Sequence, residues 1–139
     1  MGVMDDNGTP GGGGAQVEVS RGAPFLWGAA TSSHQVEGGN DRNDWSEWEA
    51  RPGAIRGGAL SGRACLHWER YEEDLDLLRA LGLNAYRFSV EWSRLEPVPG
   101  RYDDAALAHY RAVALACRAR GITPMVTLHH FSDPLWFYD

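Results

Sequence analysis

Residues whose types could do chemistry gather at three places in the chain: His34, Gln35 and Glu37; Arg87, Glu91 and Trp92; and His129, His130 and Phe131. Each group closes or follows a short apolar or alternating run, so all three share one structural address, the C-terminal end of a strand. Arg87 lies between Tyr86 and Phe88, and a guanidinium there is costly to bury unless a carboxylate pairs with it. Glu91 is the local candidate for that partner; a carboxylate outside this chain is the other. A zinc site at His129, His130 and Asp133 lacks any established ligand spacing, and Cys65 and Cys117 form no CxxC pair. No metal is expected.

The elements that must position these groups follow from periodicity. Pro24 to Ala30 is a short apolar run that predicts a buried strand. Thr31 to Leu66 is rich in glycine yet carries Trp45 and Trp48, which predicts an ordered functional loop with at most short regular pieces. From Trp68 to Leu81, Tyr71, Leu75, Leu78 and Leu81 recur at helical spacing, with Glu72, Glu73, Asp74 and Asp76 as a solvated acidic face and Gly82 as the stop. Ala85 to Trp92 alternates: Tyr86, Phe88, Val90 and Trp92 on one side, Ala85, Arg87, Ser89 and Glu91 on the other. Asp103 or Asp104 caps a second helix with Leu107, Tyr110, Ala114 and Cys117 on its stripe, ended by Gly121, and Ile122 to Leu128 forms a third strand. The tryptophans are expected as packing residues, and His67 and His109 at the surface or at helix ends.

Strand and helix in alternation predict an α/β fold with parallel strands. The polar face of the second strand suits a lumen that grades into an active site better than an open sheet apolar on both sides, so the expectation is a (β/α)8 TIM barrel, whose chemistry sits at the C-terminal strand ends. Such a barrel takes ~250 residues, and three strands with two helices are only its N-terminal part. Regular alternation along the third strand points His129 inward and His130 outward.

The chain has 139 residues, 43% hydrophobic and 23% charged, the profile of one globular domain or part of one. Its net charge of −6 disfavours nucleic acid and anionic membranes as partners, and no apolar run approaches the ~18 residues of a membrane span. Residues 1–22 read as a flexible glycine-rich leader without the features of a secretory signal, and 23–139 as an incomplete barrel domain. With two unpaired cysteines, a cytoplasmic location is expected.

Phe25-Leu26-Trp27-Gly28-Ala29-Ala30-Thr31-Ser32-Ser33-His34-Gln35-Val36-Glu37-Gly38 resembles the N-terminal signature of glycoside hydrolase family 1, the β-glucosidase family. Tyr86 to Arg94 and Thr127 to Phe131, followed by Pro134-Leu135-Trp136, are similar to that family's second and third strands, in order. The resemblance implies a TIM barrel that hydrolyses β-linked glucosides and related sugars with retention of configuration and without cofactors. It implies that Gln35 and His130 bind sugar hydroxyls and that Phe131 stands where the family more often has Trp. Arg87 would lie beside the nucleophilic carboxylate. Apart from the resemblance, Glu37 reads as support for the loop, with a helix-start carboxylate as the alternative. The resemblance also implies that both catalytic glutamates, on the fourth and seventh strands, lie beyond Asp139, so none of the catalytic residues is in this chain. The expected partner is a small β-glycoside or oligosaccharide; oligomeric state is not legible. Two other classes stay open: a truncated sugar-binding or assembly module, and a barrel hydrolase using His129 and Asp133 with a metal.

Overall fold

The computed structural model describes residues 24–138 together with Gly22. The expected leader, apart from Gly22, lies outside the described residues. In chain order the elements are β1 (Gly28–Ala30), α1 (Ser33–Val36), α2 (Asp44–Glu49), a 3-10 turn at Arg56–Gly58, α3 (His67–Ala80), β2 (Ala85–Ser89), α4 (Trp92–Leu95), α5 (Asp104–Ala119), β3 (Thr123–Thr127) and a 3-10 turn at Leu135–Tyr138. The three strands form one parallel sheet in the order β1-β2-β3. Sequential neighbours in parallel are the arrangement of a β/α barrel wall.

Alternation along β2 divides the molecule into layers. Tyr86, Phe88 and Val90 pack with Leu75 and Leu78 of α3, Tyr110, Val113 and Cys117 of α5, and Ile122, all at most 9% exposed. The other face of β2 carries Arg87, which is exposed, and Ser89 and the succeeding Glu91, which are buried. Asp103 caps α5 by accepting from the Ala106 amide, and Gly82 and Gly121 leave α3 and α5 in left-handed conformations, as the sequence predicts.

Several expectations change. The buried strand expected over Pro24–Ala30 shrinks to Gly28–Ala30, with Phe25 73% and Trp27 66% exposed. The helices cover only one face of the sheet, so apolar residues on its other side and at its edge stay open. Glycine at 28 is needed for close approach: a Cβ there would lie 2.5 Å from the Ala85 carbonyl oxygen. β2 ends at Ser89 and Trp92 instead opens α4. Leu81 and Leu107 fall off their stripes and are exposed, while Ala106 and Val113 complete the buried face of α5.

Charged and polar residues do more than the sequence reading gave them. The acidic face of α3 is paired rather than merely solvated: Arg120 reaches Glu72 and Asp76, and Glu73 meets Arg70. His67 is buried, not at the surface; Asp74 lies 2.6 Å from its Nδ1 and the Tyr86 hydroxyl 3.2 Å from its Nε2. That hydroxyl in turn meets Thr31 Oγ1 at 2.7 Å, so a polar chain ties α3 through β2 to the end of β1.

Glu37 ties the loop after α1 to the rest. Its carboxylate is 3% exposed and accepts from Tyr110 Oη at 2.8 Å and Asn40 Nδ2 at 3.1 Å, with Arg94 Nε at 3.2 Å. Arg94 also stacks over the Trp68 ring at 4.1 Å, and Trp68 stacks on His109. Burial pushes the Glu37 carboxyl up to about 7, against the pull of its hydrogen bonds and of Arg94.

Two outcomes follow from this fold. β1 and β3 each have an edge without a strand partner among the described residues, and Met125, Val126 and Leu128 are exposed. In sedimentation velocity the 139-residue chain alone is expected to self-associate; a soluble monomer with a cooperative thermal transition would contradict this. In a barrel that completes the sheet, the folded state holds a proton on Glu37 between pH 4.5 and about 7 that the unfolded chain has released. The stability from that carboxyl is therefore fully present below 4.5 and lost as pH rises through about 7. Urea midpoints measured from pH 4.5 to 8 should show this decline in the parent and a shallower one in Glu37→Gln; identical profiles would contradict the assignment.

Candidate functional site

Short polar segments leave the C-terminal ends of β1 and β3 and meet. α1 begins directly after β1, which carries His34 and Gln35 to the rim, with Gln35 exposed and His34 half-buried. On the other side β3 ends at Thr127, and the chain passes through His129 and His130 to Phe131, whose φ of 61° turns it back. Ser32, His34, Gln35, Trp45, His130 and Phe131 line one cleft of about 170 Å³. The structure thus brings Gln35, His130 and Phe131 together.

The two adjacent histidines separate clearly. His129 is 51% exposed and its Nε2 lies 2.8 Å from Asp133 Oδ1. His130 is half-buried, lines the cleft, and has a buried Nδ1 without a hydrogen-bond partner among the described residues. Alternation along the strand, which points His129 inward, fails here because β3 stops at Thr127, before either histidine. Up to that point β2 and β3 pair in unbroken register, from Ala85 with Thr123 to Ser89 with Thr127. Among the described residues no three His, Cys, Asp or Glu side chains come together to hold a metal ion.

Two residues of the cleft had no ligand contact assigned to them from the sequence, Trp45 being expected only to pack and His34 being noted without a role. Trp45 is 44% exposed and donates from its Nε1 to the Phe131 carbonyl oxygen, so it both lines the cleft and fixes the turn beside it. An exposed aromatic in an ordered loop was the available signal. His34 is held by Asn43, whose Nδ2 lies 3.1 Å from its Nδ1, while Glu49 stands 3.7 Å from its Nε2. Asn43 is itself fully buried and caps α2 through a reciprocal pair of bonds with Ser46. A larger cleft of about 760 Å³, lined by Trp48, Leu135 and Tyr138 among others, adjoins the first through their shared Trp45.

Behind the cleft lie the carboxylates. Glu37 is buried in the network with Arg94, Asn40 and Tyr110 and does not line the cleft. Arg87 is exposed on the face of β2 opposite the helices and makes no ion pair among the described residues. Glu91 is not its partner; the Glu91 carboxylate is bonded to the hydroxyls of Ser33, Ser93 and Ser132. Burial raises the phenols next to these groups, Tyr86 to about 12 and Tyr110 higher still, so both stay protonated hydrogen-bond donors.

The cleft offers an amide, two imidazoles and two aromatic rings. An amide donates from one end and accepts at the other, and imidazole can do both, which matches neighbouring hydroxyls on a small molecule; the rings offer flat apolar faces. The lining contains no carboxylate among the described residues. As seen here, it is equipped to bind and orient.

Comparison with known proteins agrees with this geometry. Residues 20–139 match Glycosyl hydrolase family 1. The chain is 37% identical over 116 residues to β-glucosidase A of Thermotoga maritima, covering 79% of this chain and 26% of that protein. It is 41% identical over 117 residues to a β-glucosidase of an Agrobacterium species, with 80% and 26% covered. Among solved structures it superposes on the β-glycosidase BGL167 with a TM-score of 0.77 and 52% identity, over 81% of this chain and 27% of that one. The chain spans about a quarter of the length of the curated relatives it matches. Its three strands are consecutive wall strands from the N-terminal part of a TIM barrel, and by sequence and structure the chain belongs to glycosyl hydrolase family 1.

Proposed function

We propose that this chain supplies part of the sugar-binding subsite of a retaining β-glycosidase, one that hydrolyses O-glycosidic bonds of small β-glucosides or related sugars. The observation that carries the reading is the convergence of Gln35, His130 and Phe131 on one cleft from the segments that follow two different strands, in a chain of this family. The Gln35 amide and the His130 imidazole hold hydroxyls of the non-reducing sugar, and Phe131 covers one edge of it. Phe131 offers a ring face without the N–H that an indole would add, so hydrogen bonding falls to Gln35 and His130.

Retaining chemistry needs two carboxyls about 5 to 5.5 Å apart, one protonating the leaving oxygen and one attacking the anomeric carbon. In this reading both come from outside the chain, on later strands. Arg87, exposed on the lumen side of β2, then stands ready to hold the nucleophile ionised through its permanent charge. Glu37 supports the loop from behind. The net charge of −6 suits a neutral sugar, no cofactor takes part, and the reaction belongs in the cytoplasm. The barrel domain begins near residue 23.

Joining this chain to the remaining strands of the Thermotoga maritima relative gives a complete barrel in which to test the reading. Gln35→Ala and His130→Ala are each expected to lower kcat/KM for 4-nitrophenyl β-D-glucopyranoside roughly 100-fold, about 3 kcal/mol, because contacts to the sugar strengthen in the transition state. An unchanged kcat/KM in both variants, or a complete barrel without hydrolytic activity, would overturn it.

A further inference from the structure

Glu91 is fully buried, and a carboxylate in that setting ordinarily has a cationic partner. Among the described residues it has none. Three hydroxyls take that place, each from a different segment. Ser33 Oγ, in the first turn of α1, donates to Oε2 at 3.0 Å; Ser132 Oγ, beyond β3, donates to the same oxygen at 3.1 Å; Ser93 Oγ of α4 donates to Oε1 at 2.8 Å. The Glu91 amide also donates to the Tyr110 hydroxyl at 2.8 Å, and that hydroxyl donates on to Glu37. One carboxylate oxygen therefore joins the segment after β1 to the segment after β3.

The two joined serines are chain neighbours of the cleft lining, Ser33 between Ser32 and His34 and Ser132 directly after Phe131. Ser33 precedes Gln35 by two, and Ser132 follows His130 by two. Ser33 is fixed further by its amide, which donates to Ser89 Oγ at 2.7 Å. Other hydrogen bonds across this gap reach α2 or the residues just before it instead of α1: Trp45 Nε1 to the Phe131 carbonyl, the Asp133 amide to Asp44 Oδ1 at 2.8 Å, the Asp44 amide to the Asp133 carbonyl at 2.9 Å and the Leu135 amide to the Arg42 carbonyl at 3.1 Å. Among the described residues, only the Glu91 side chain is hydrogen-bonded both to α1 and to the segment that carries His130. An ionised carboxylate is an acceptor with about four lone-pair sites and no competing donor, so it can gather several hydroxyls at once.

We infer that Glu91 is a positioning residue that sets the separation of Gln35 and His130 by bridging Ser33 and Ser132. Its effect on turnover rests on the reading of Gln35 and His130 as sugar contacts, whereas its effect on their separation does not.

The completed barrel described above tests both. Glu91→Ala should lower kcat/KM for 4-nitrophenyl β-D-glucopyranoside about 100-fold at a temperature where circular dichroism shows the variant fully folded. Glu91→Gln should stay within about 5-fold of the parent, because the amide oxygen keeps Ser33 and Ser132 while the NH2 donates to Ser93. Combining Glu91→Ala with Gln35→Ala should add little to either loss, since one acts through the other. Losses that multiply, or a parental kcat/KM in folded Glu91→Ala, would overturn the inference. If Glu91→Ala does not fold, Ser132→Ala removes one arm of the bridge; about a 10-fold loss that does not multiply with His130→Ala supports the inference, and no loss overturns it. Should Gln35→Ala and His130→Ala both leave turnover unchanged, the sugar reading fails independently. Glu91 is then judged by the crystal structure of Glu91→Ala, where a changed Gln35–His130 separation supports the bridge and an unchanged one refutes it.

Discussion

The alternation of side chains along β2 is the constraint on which the rest of the structure depends. Every second residue, Tyr86, Phe88 and Val90, enters the layer built by α3 and α5. The residues between them face the other way, and Ser89 and Glu91 become the floor on which the segments after β1 and β3 rest. A shift of one residue in this strand would exchange the two sets, placing a carboxylate in the apolar layer and rings under the cleft. The fold and the candidate site are thus specified by the same five-residue strand and its short continuation.

Polar burial beneath the cleft is extensive and nearly all of it is satisfied. Glu37, Glu91, Asn40, Asn43, Ser33 and Ser132 are all at most 5% exposed, and each has a hydrogen-bond partner. Such networks cost more than an apolar filling would if any member lacked its bond, so their presence argues for a task that apolar packing cannot do. Holding two loops at a fixed separation is a task of that kind. The exception is His130, whose buried Nδ1 has no partner among the described residues and lies at the cleft itself.

Much of this was legible in the sequence, for reasons that can be named. Helical spacing placed α3 and α5 to within a residue or two at their ends, because Leu75, Leu78, Tyr110 and Cys117 fall on faces that must be buried whatever surrounds them. Strand burial was less legible. Pro24 to Trp27 are apolar but stay open, because whether an apolar strand is covered depends on the layer that meets it and not on its own residues. The choice between His129 and His130 turned on where β3 stops, and strand ends carry weak local signals. Likewise Glu91 looked like a partner for Arg87, since only three-dimensional placement reveals three serines from distant positions around it.

The central claim is that groups from the segments following β1 and β3 grip one sugar. A crystal structure of the completed barrel with a glucose-derived inhibitor bound tests it most directly. The Gln35 amide and the His130 imidazole should each lie about 2.7 to 3.2 Å from hydroxyl oxygens of the same ring. A sugar bound elsewhere in the barrel, with neither side chain in hydrogen-bonding reach, would contradict the account.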